Sequence, residues 1–228
     1  MRFKPPLLPP AASLIPQATQ GPRVLPGTYQ VKLTKGDKWY TETLQVVLDP
    51  RAKYNVDDRK RQYDLVMKLY RTMAHMTYAV DAIQGVRDHA QSRAAKLRES
   101  DPLREQLQKL SRSAEDLRSR IVATKEGGMI TGEERIREHM GELYGAVNHY
   151  EGRPGDYQVA RTDSLSRELE DVITDFRKLT DKELSGINSS LQKKKMATIK
   201  VLAESDWHQK YDGGGSAHSP GVSRRELD

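Results

Sequence analysis

The chain has 228 residues, with 38 Lys/Arg against 32 Asp/Glu, 6% aromatic residues, 31% charged residues and no cysteine. That balance is lean for a globular core and ordinary for long amphipathic helices; it excludes disulfides, thiolate zinc sites and thiol nucleophiles. Residues 1–125 carry 23 Lys/Arg against 13 Asp/Glu, or +10, and residues 126–228 carry 15 against 19, or −4, so basic helices packed beside acidic ones would largely cancel each other's fields.

Residues 1–25 hold six of the eleven prolines: Pro5, Pro6, Pro9, Pro10, Pro16 and Pro22. Proline removes backbone donors and fixes φ, which predicts an extended linker. The same prolines interrupt the apolar run that an export signal needs. Residues 26–51 then read as a β-hairpin. Tyr29, Val31 and Leu33 alternate, as do Leu44, Val46 and Leu48, around a Lys35-Gly36-Asp37-Lys38 turn. Trp39 and Tyr40 open the return strand, placed to cover one face or to fold the hairpin back on the first helix. These eight residues are the candidate interface, because a lone two-stranded hairpin is marginally stable and needs something to pack on.

Residues 55–203 read as a helical bundle. Val66, Met73 and Val80 recur every seven residues beside Leu69, Met76, Ile83, Ala90 and Leu97, predicting a helix over about 58–98 that Gly85 loosens midway. Asp101-Pro102 starts a second helix, striped by Leu103, Leu107, Leu110, Ala114, Leu117 and Ile121 and stopped at Gly127-Gly128. Thr131-Gly132-Glu133-Glu134 fits a capping box for a third, carrying Ile136, Met140, Leu143 and Val147. The fourth carries Leu165, Leu169, Val172, Phe176 and Leu179, then Leu184, Ile187 and Leu191 after a small phase shift. Four such stripes with short connections predict a mainly α fold: an antiparallel up-down-up-down four-helix bundle preceded by a β-hairpin, with disordered termini. Residues 204–228, with their Gly213-Gly214-Gly215-Ser216 run, read as a disordered tail.

Nothing in this pattern amounts to a catalytic signature. None of His75, His89, His139, His149, His208 and His218 has a carboxylate three residues before it, as a di-metal bundle requires. Glu168, Asp171 and Asp175 lie opposite the leucine stripe, and Glu134, Glu138 and Glu142 likewise read as surface charge. No glycine is followed by lysine, which excludes a phosphate-binding P-loop. Met67, Met73 and Met76 fit the core better than an adaptable groove. The expectation is therefore no catalytic, cofactor or metal residue. Lys193-Lys194-Lys195 and the basic first two helices suggest a nucleic-acid or anionic-surface binder as an alternative, but interleaved acids disfavour it. No run reaches the ~18 apolar residues of a membrane span.

The stretch Gly21-Pro22-Arg23-Val24-Leu25-Pro26-Gly27-Thr28-Tyr29-Gln30-Val31-Lys32-Leu33, followed by Leu48-Asp49-Pro50-Arg51, resembles the join between the Ig-like sandwich and the helical tail of large bacterial sortilin-like proteins. Those carry Asp-box propeller repeats and are often labelled glycosyl hydrolases. Glu142-Leu143-Tyr144-Gly145-Ala146-Val147-Asn148-His149-Tyr150-Glu151-Gly152-Arg153-Pro154 is similar to the segment joining the last two helices of that tail. Leu165, Glu168, Leu169, Phe176, Leu179 and Ile187-Asn188 continue the likeness, which covers about residues 21–202. The resemblance implies that the hairpin is the end of a sandwich whose earlier strands, like the propeller, are absent from this chain. Any hydrolase activity would then belong to the propeller, and no family active-site residue maps here. It further implies an exported setting, periplasmic or extracellular. The expected function is a non-catalytic structural and interaction module, with an enzyme remnant needing the missing propeller as the alternative. The expected partners are proteins: the propeller and sandwich region, or a second copy through the hairpin.

Overall fold

The computed structural model describes residues 1–11, 15–125 and 133–213. Strands β1 (Gly27–Lys35) and β2 (Lys38–Val46) form one antiparallel ribbon, followed by helices α1 (Val56–Ala94), α2 (Pro102–Ile121), α3 (Ile136–Asn148), α4 (Asp156–Lys193) and α5 (Glu204–Gly213). The helical bundle preceded by a hairpin is thus the architecture the stripes predict.

Capping chemistry sets the helix starts. Asn55 Oδ1 accepts from the Asp58 amide at 2.8 Å, and Asp58 reaches back to the Asn55 amide. Asp101 accepts from the Leu103 amide, with Pro102 in the first turn. Glu138 accepts from the Arg135 amide at 3.0 Å, which makes it a buried cap of α3 and not the surface charge its spacing suggests. The Thr131-Gly132 part of the expected capping box, and the Gly127-Gly128 stop, lie outside the described residues. α1 runs unbroken through Gly85.

The direction of the helices follows from the pairs between them. Lys68 meets Asp163 and His75 meets Glu170 at the same 95-residue offset, so α1 and α4 run parallel. Arg87 meets Glu115, and Arg120 meets Asp175 while Asp101 meets Lys194, so α2 runs against both. Gln62, near the start of α1, donates to the Val147 carbonyl at the end of α3 at 2.6 Å. α3 therefore continues α2 in the same direction, and the expected strict alternation becomes up, down, down, up. Length explains it. α1 and α4 have 39 and 38 residues, about 57 Å each, whereas α2 and α3 have 20 and 13 and only in tandem approach that span.

The stripes meet in one core. Leu69, Met73, Met76, Ile83, Leu107, Met140, Leu165 and Leu169 are all fully buried, joined by Tyr144, which no stripe contained. Met67 sits half-buried at its margin.

Both flanks of the bundle correct the sequence reading. The described residues before β1, 1–11 and 15–25, are a strap and not a linker, with one 3-10 turn at Pro16–Ala18: Pro6, Pro9, Ile15, Ala18 and Val24 are buried, and Ile15 lies over Gly141 of α3. Residues 204–213 are helical, not disordered. Trp207 is buried against α1, and its indole N–H donates to Asp81. Between α4 and α5 the chain is held by Asn188, which donates to the Ile199 carbonyl and accepts from its amide, and by Arg93, which donates to the Ala197 and Thr198 carbonyls. Residues 214–228 lie outside the described region.

Candidate interaction surface

The ribbon is defined by its register. The strands are joined through Gly36 and Asp37, and Gly36 takes φ of 59°, a left-handed conformation that glycine adopts without steric cost. Lys35 therefore pairs with Lys38, Thr34 with Trp39, Leu33 with Tyr40, Val31 with Glu42, Tyr29 with Leu44 and Gly27 with Val46. Directly opposed residues share a face. One face thus gathers Tyr29, Val31, Leu33, Tyr40, Leu44 and Val46 around Glu42. The other carries Thr28, Gln30, Lys32, Thr34, Thr41, Thr43 and Gln45, with Trp39 among them. Of the eight predicted interface residues, the structure brings six onto this face and places Trp39 on its reverse; Leu48 follows β2.

Among the described residues no helix covers either face beyond the base of the ribbon. Every residue from Val31 to Gln45 is exposed, while Tyr29, Val46 and Leu48 are half-buried near the base. Leu33 (64% exposed), Tyr40 (57%), Val31 (44%) and Leu44 (43%) leave an apolar surface in water that Glu42 interrupts. Trp39 is 63% exposed, its ring beneath the Lys32 ammonium at 5.2 Å. The fold-back on α1 through Trp39 or Tyr40 is not what the chain does.

A polar joint, invisible to periodicity, holds the base of the ribbon to the bundle. Tyr54 and Arg23 both donate to Glu151, one to each carboxylate oxygen. Arg59 is buried and donates to the Arg23 and Val24 carbonyls at 3.0 and 3.2 Å. The Tyr29 phenol donates to the Leu25 carbonyl at 2.7 Å. The Tyr54 hydrogen bond, then the Arg23 charge, holds the Glu151 carboxyl below the ordinary carboxylate range, and burial lowers the Arg59 guanidinium. The strap leading into β1 is gripped through its main chain as well. Tyr144 donates to the Gln20 carbonyl at 2.7 Å, Asn148 to the Gln20 and Gly21 carbonyls, and Arg137 to the Pro9 carbonyl at 2.7 Å. Its strand ends are thus fixed to a rigid body while its faces stay open.

An open cleft of ≈ 1120 Å³ lies at this base, lined by Leu48, Pro50, Arg51, Tyr54 and Glu151. Both Glu151 oxygens are engaged, and the Asp49 carboxylate is paired with Arg51. The Tyr54 hydroxyl is the one that donates to Glu151 in this cleft. Among the described residues no cluster of His, Cys, Asp or Glu is placed to hold a metal, and no helix is long and apolar enough to cross a membrane. Two acids of α4 meet cations on neighbouring helices, Asp163 on Lys68 and Asp175 on Arg120, whereas Glu168 meets Arg161 of α4 itself; Lys194 of the basic triplet meets Asp101.

The chain matches no family model, no curated protein and no solved structure.

Proposed function

We propose that this chain is a non-catalytic structural and interaction module, a rigid helical rod that carries a β-ribbon for completion by another protein. The observation that supports it is the uncovered apolar face of Tyr29, Val31, Leu33, Tyr40, Leu44 and Val46, anchored at its base to a well-packed bundle. Two strands alone gain too little to stay ordered in water, whereas a third strand or a second sheet supplies both hydrogen bonds and apolar area. The partner that fits is a β-sandwich layer presenting apolar residues and a cation opposite Glu42. In the setting that the resemblance implies, these would be the earlier strands of an Ig-like sandwich below an Asp-box propeller, in an exported protein, with any hydrolase chemistry residing in the propeller.

Without that partner, a second copy is the available cover. Sedimentation velocity tests the reading. The full chain is expected to associate as concentration rises, and the double substitution Val31→Lys, Leu44→Lys is expected to sediment as a monomer with unchanged helix content. A full chain that stays monomeric and as soluble as the double variant contradicts it.

A further inference from the structure

The ribbon has two open edges as well as two faces. Gly36 and Asp37 alone form the turn, so Lys35 and Lys38 are a hydrogen-bonded pair, and such pairs recur at every second residue of the ladder. The main-chain groups of Tyr29, Val31 and Leu33 therefore answer β2, while those of Thr28, Gln30, Lys32 and Thr34 point outward from β1. On β2 the outward set is Trp39, Thr41, Thr43 and Gln45. The register runs without a bulge from Gly27–Val46 to Lys35–Lys38, no proline stands in residues 27–46, and Thr28 and Gln30 to Gln45 are exposed. Such an edge is a template for another strand.

Charge decides which edge can take its own copy. A two-fold axis pairs like strands antiparallel. With β1 in full overlap, Val31 of one copy would face Val31 of the other, Tyr29 would face Leu33, Gln30 would face Lys32, Thr28 would face Thr34 and Lys35 would face Gly27. No like charges are opposed, apolar side chains meet on one face and threonines meet on the other. With β2 in full overlap, Glu42 would stand against its own copy, and like charges directly opposite are destabilising. Pairing β1 of one copy with β2 of the next is heterologous: it leaves the same two edges open at each step and builds a filament.

We propose that two copies join along their β1 edges into one four-stranded antiparallel sheet, with Val31 at the two-fold axis. This rests on the self-association stated for the ribbon and names its contacts, which are the outward main-chain groups of Thr28, Gln30, Lys32 and Thr34 and not the apolar face. Nine residue pairs make the shared edge roughly 30 Å long, with the two bundles at its opposite ends. Four strands pass the size at which a hairpin is marginal alone. The two apolar faces become one layer that a sandwich partner can still cover.

The test uses the full chain in sedimentation velocity. Gln30→Pro and Thr43→Pro act at one directly opposed pair on the polar face, and each removes an outward N–H while leaving the β1–β2 hydrogen bonds in place. Gln30→Pro is expected to weaken the dimer at least about tenfold, because the two-fold axis makes it delete two main-chain hydrogen bonds, and Thr43→Pro to leave it within about twofold. The chain has no cysteine, so Val31→Cys reports the axis by itself. Opposed residues of a non-hydrogen-bonded pair have Cα atoms about 4.5 Å apart, within disulfide reach. Mild oxidation is expected to give a covalent dimer with Val31→Cys and none with Glu42→Cys. The idea is overturned if Thr43→Pro weakens the dimer as much as Gln30→Pro does, if Val31→Cys yields no covalent dimer, or if Glu42→Cys couples in its place. It is also overturned if neither proline acts while Val31→Lys, Leu44→Lys still abolishes association; the contact is then the apolar face, and the proposed function stands without the edge. A parent chain that stays monomeric contradicts both.

Discussion

Trp207 donates its indole N–H to Asp81 Oδ2 at 2.8 Å, joining the last helix to the middle of the first across 126 residues of chain. Tyr211 donates to the same oxygen at 3.2 Å, and the Tyr78 ring meets the indole edge-on at 6.0 Å. A fully buried tryptophan with a charged acceptor is a strong local anchor. Trp207→Ala is expected to cost about 3 kcal/mol and to free α5. Limited proteolysis would then clip the chain after about residue 203, whereas the parent resists there.

Lys195 ends α4 in the left-handed region, with φ of 58°, while the Met196 amide donates back to the Leu191 carbonyl at 2.9 Å. That is the closing turn in which glycine is favoured, because a Cβ is strained there. Lys195→Gly is expected to raise stability by about 0.5–1 kcal/mol. A higher urea midpoint with an unchanged slope would verify it.

The Glu115 carboxyl is pulled down to about 2, first by its hydrogen bond from Arg118 and then by the one from Arg87 of α1. Since the folded carboxyl titrates below the unfolded one, its contribution is complete above about pH 4.5 and is lost as the pH falls toward about 2. Glu115→Gln is expected to be less stable than the parent at about pH 5, with the difference closing at about pH 2.5. Urea midpoints at the two pH values measure it.

Gly141 leaves room for the strap: a Cβ there would stand 2.8 Å from Ile15 side-chain carbons. Gly141→Leu is expected to destabilise by about 1–2 kcal/mol, the overpacking outweighing the better helix propensity. Faster proteolysis within residues 1–25, with the bundle intact, is the readout.

The parts of this fold that were legible are those written locally. Leu103, Leu107 and Leu110, or Leu165 and Leu169, announce a buried stripe because i, i+3 and i+4 share a helix face. Gly36 announces the ribbon turn. The face of Trp39 was implicit in the same turn: once Lys35 pairs with Lys38, Trp39 falls opposite Thr34 and away from Tyr29. The strap was not legible. Proline signals extension, but burial comes from Tyr144, Asn148 and Arg137, more than 120 residues away, gripping carbonyls that every sequence has. Trp207 failed in the same way, its partner lying on another helix. The joint at Glu151 needed the connection after α3 to return beside Tyr54, which depends on α3 running in tandem with α2 and not on any local pattern.

The central claim is that the ribbon is a surface waiting for cover while the bundle is complete without it. Amide hydrogen exchange as a function of protein concentration tests this most directly. Amides of residues 27–46 are expected to exchange quickly in dilute solution and to become protected as concentration rises, with the core amides of α1 and α4 slow throughout. Ribbon protection that equals the helices' and does not change with concentration would contradict the account.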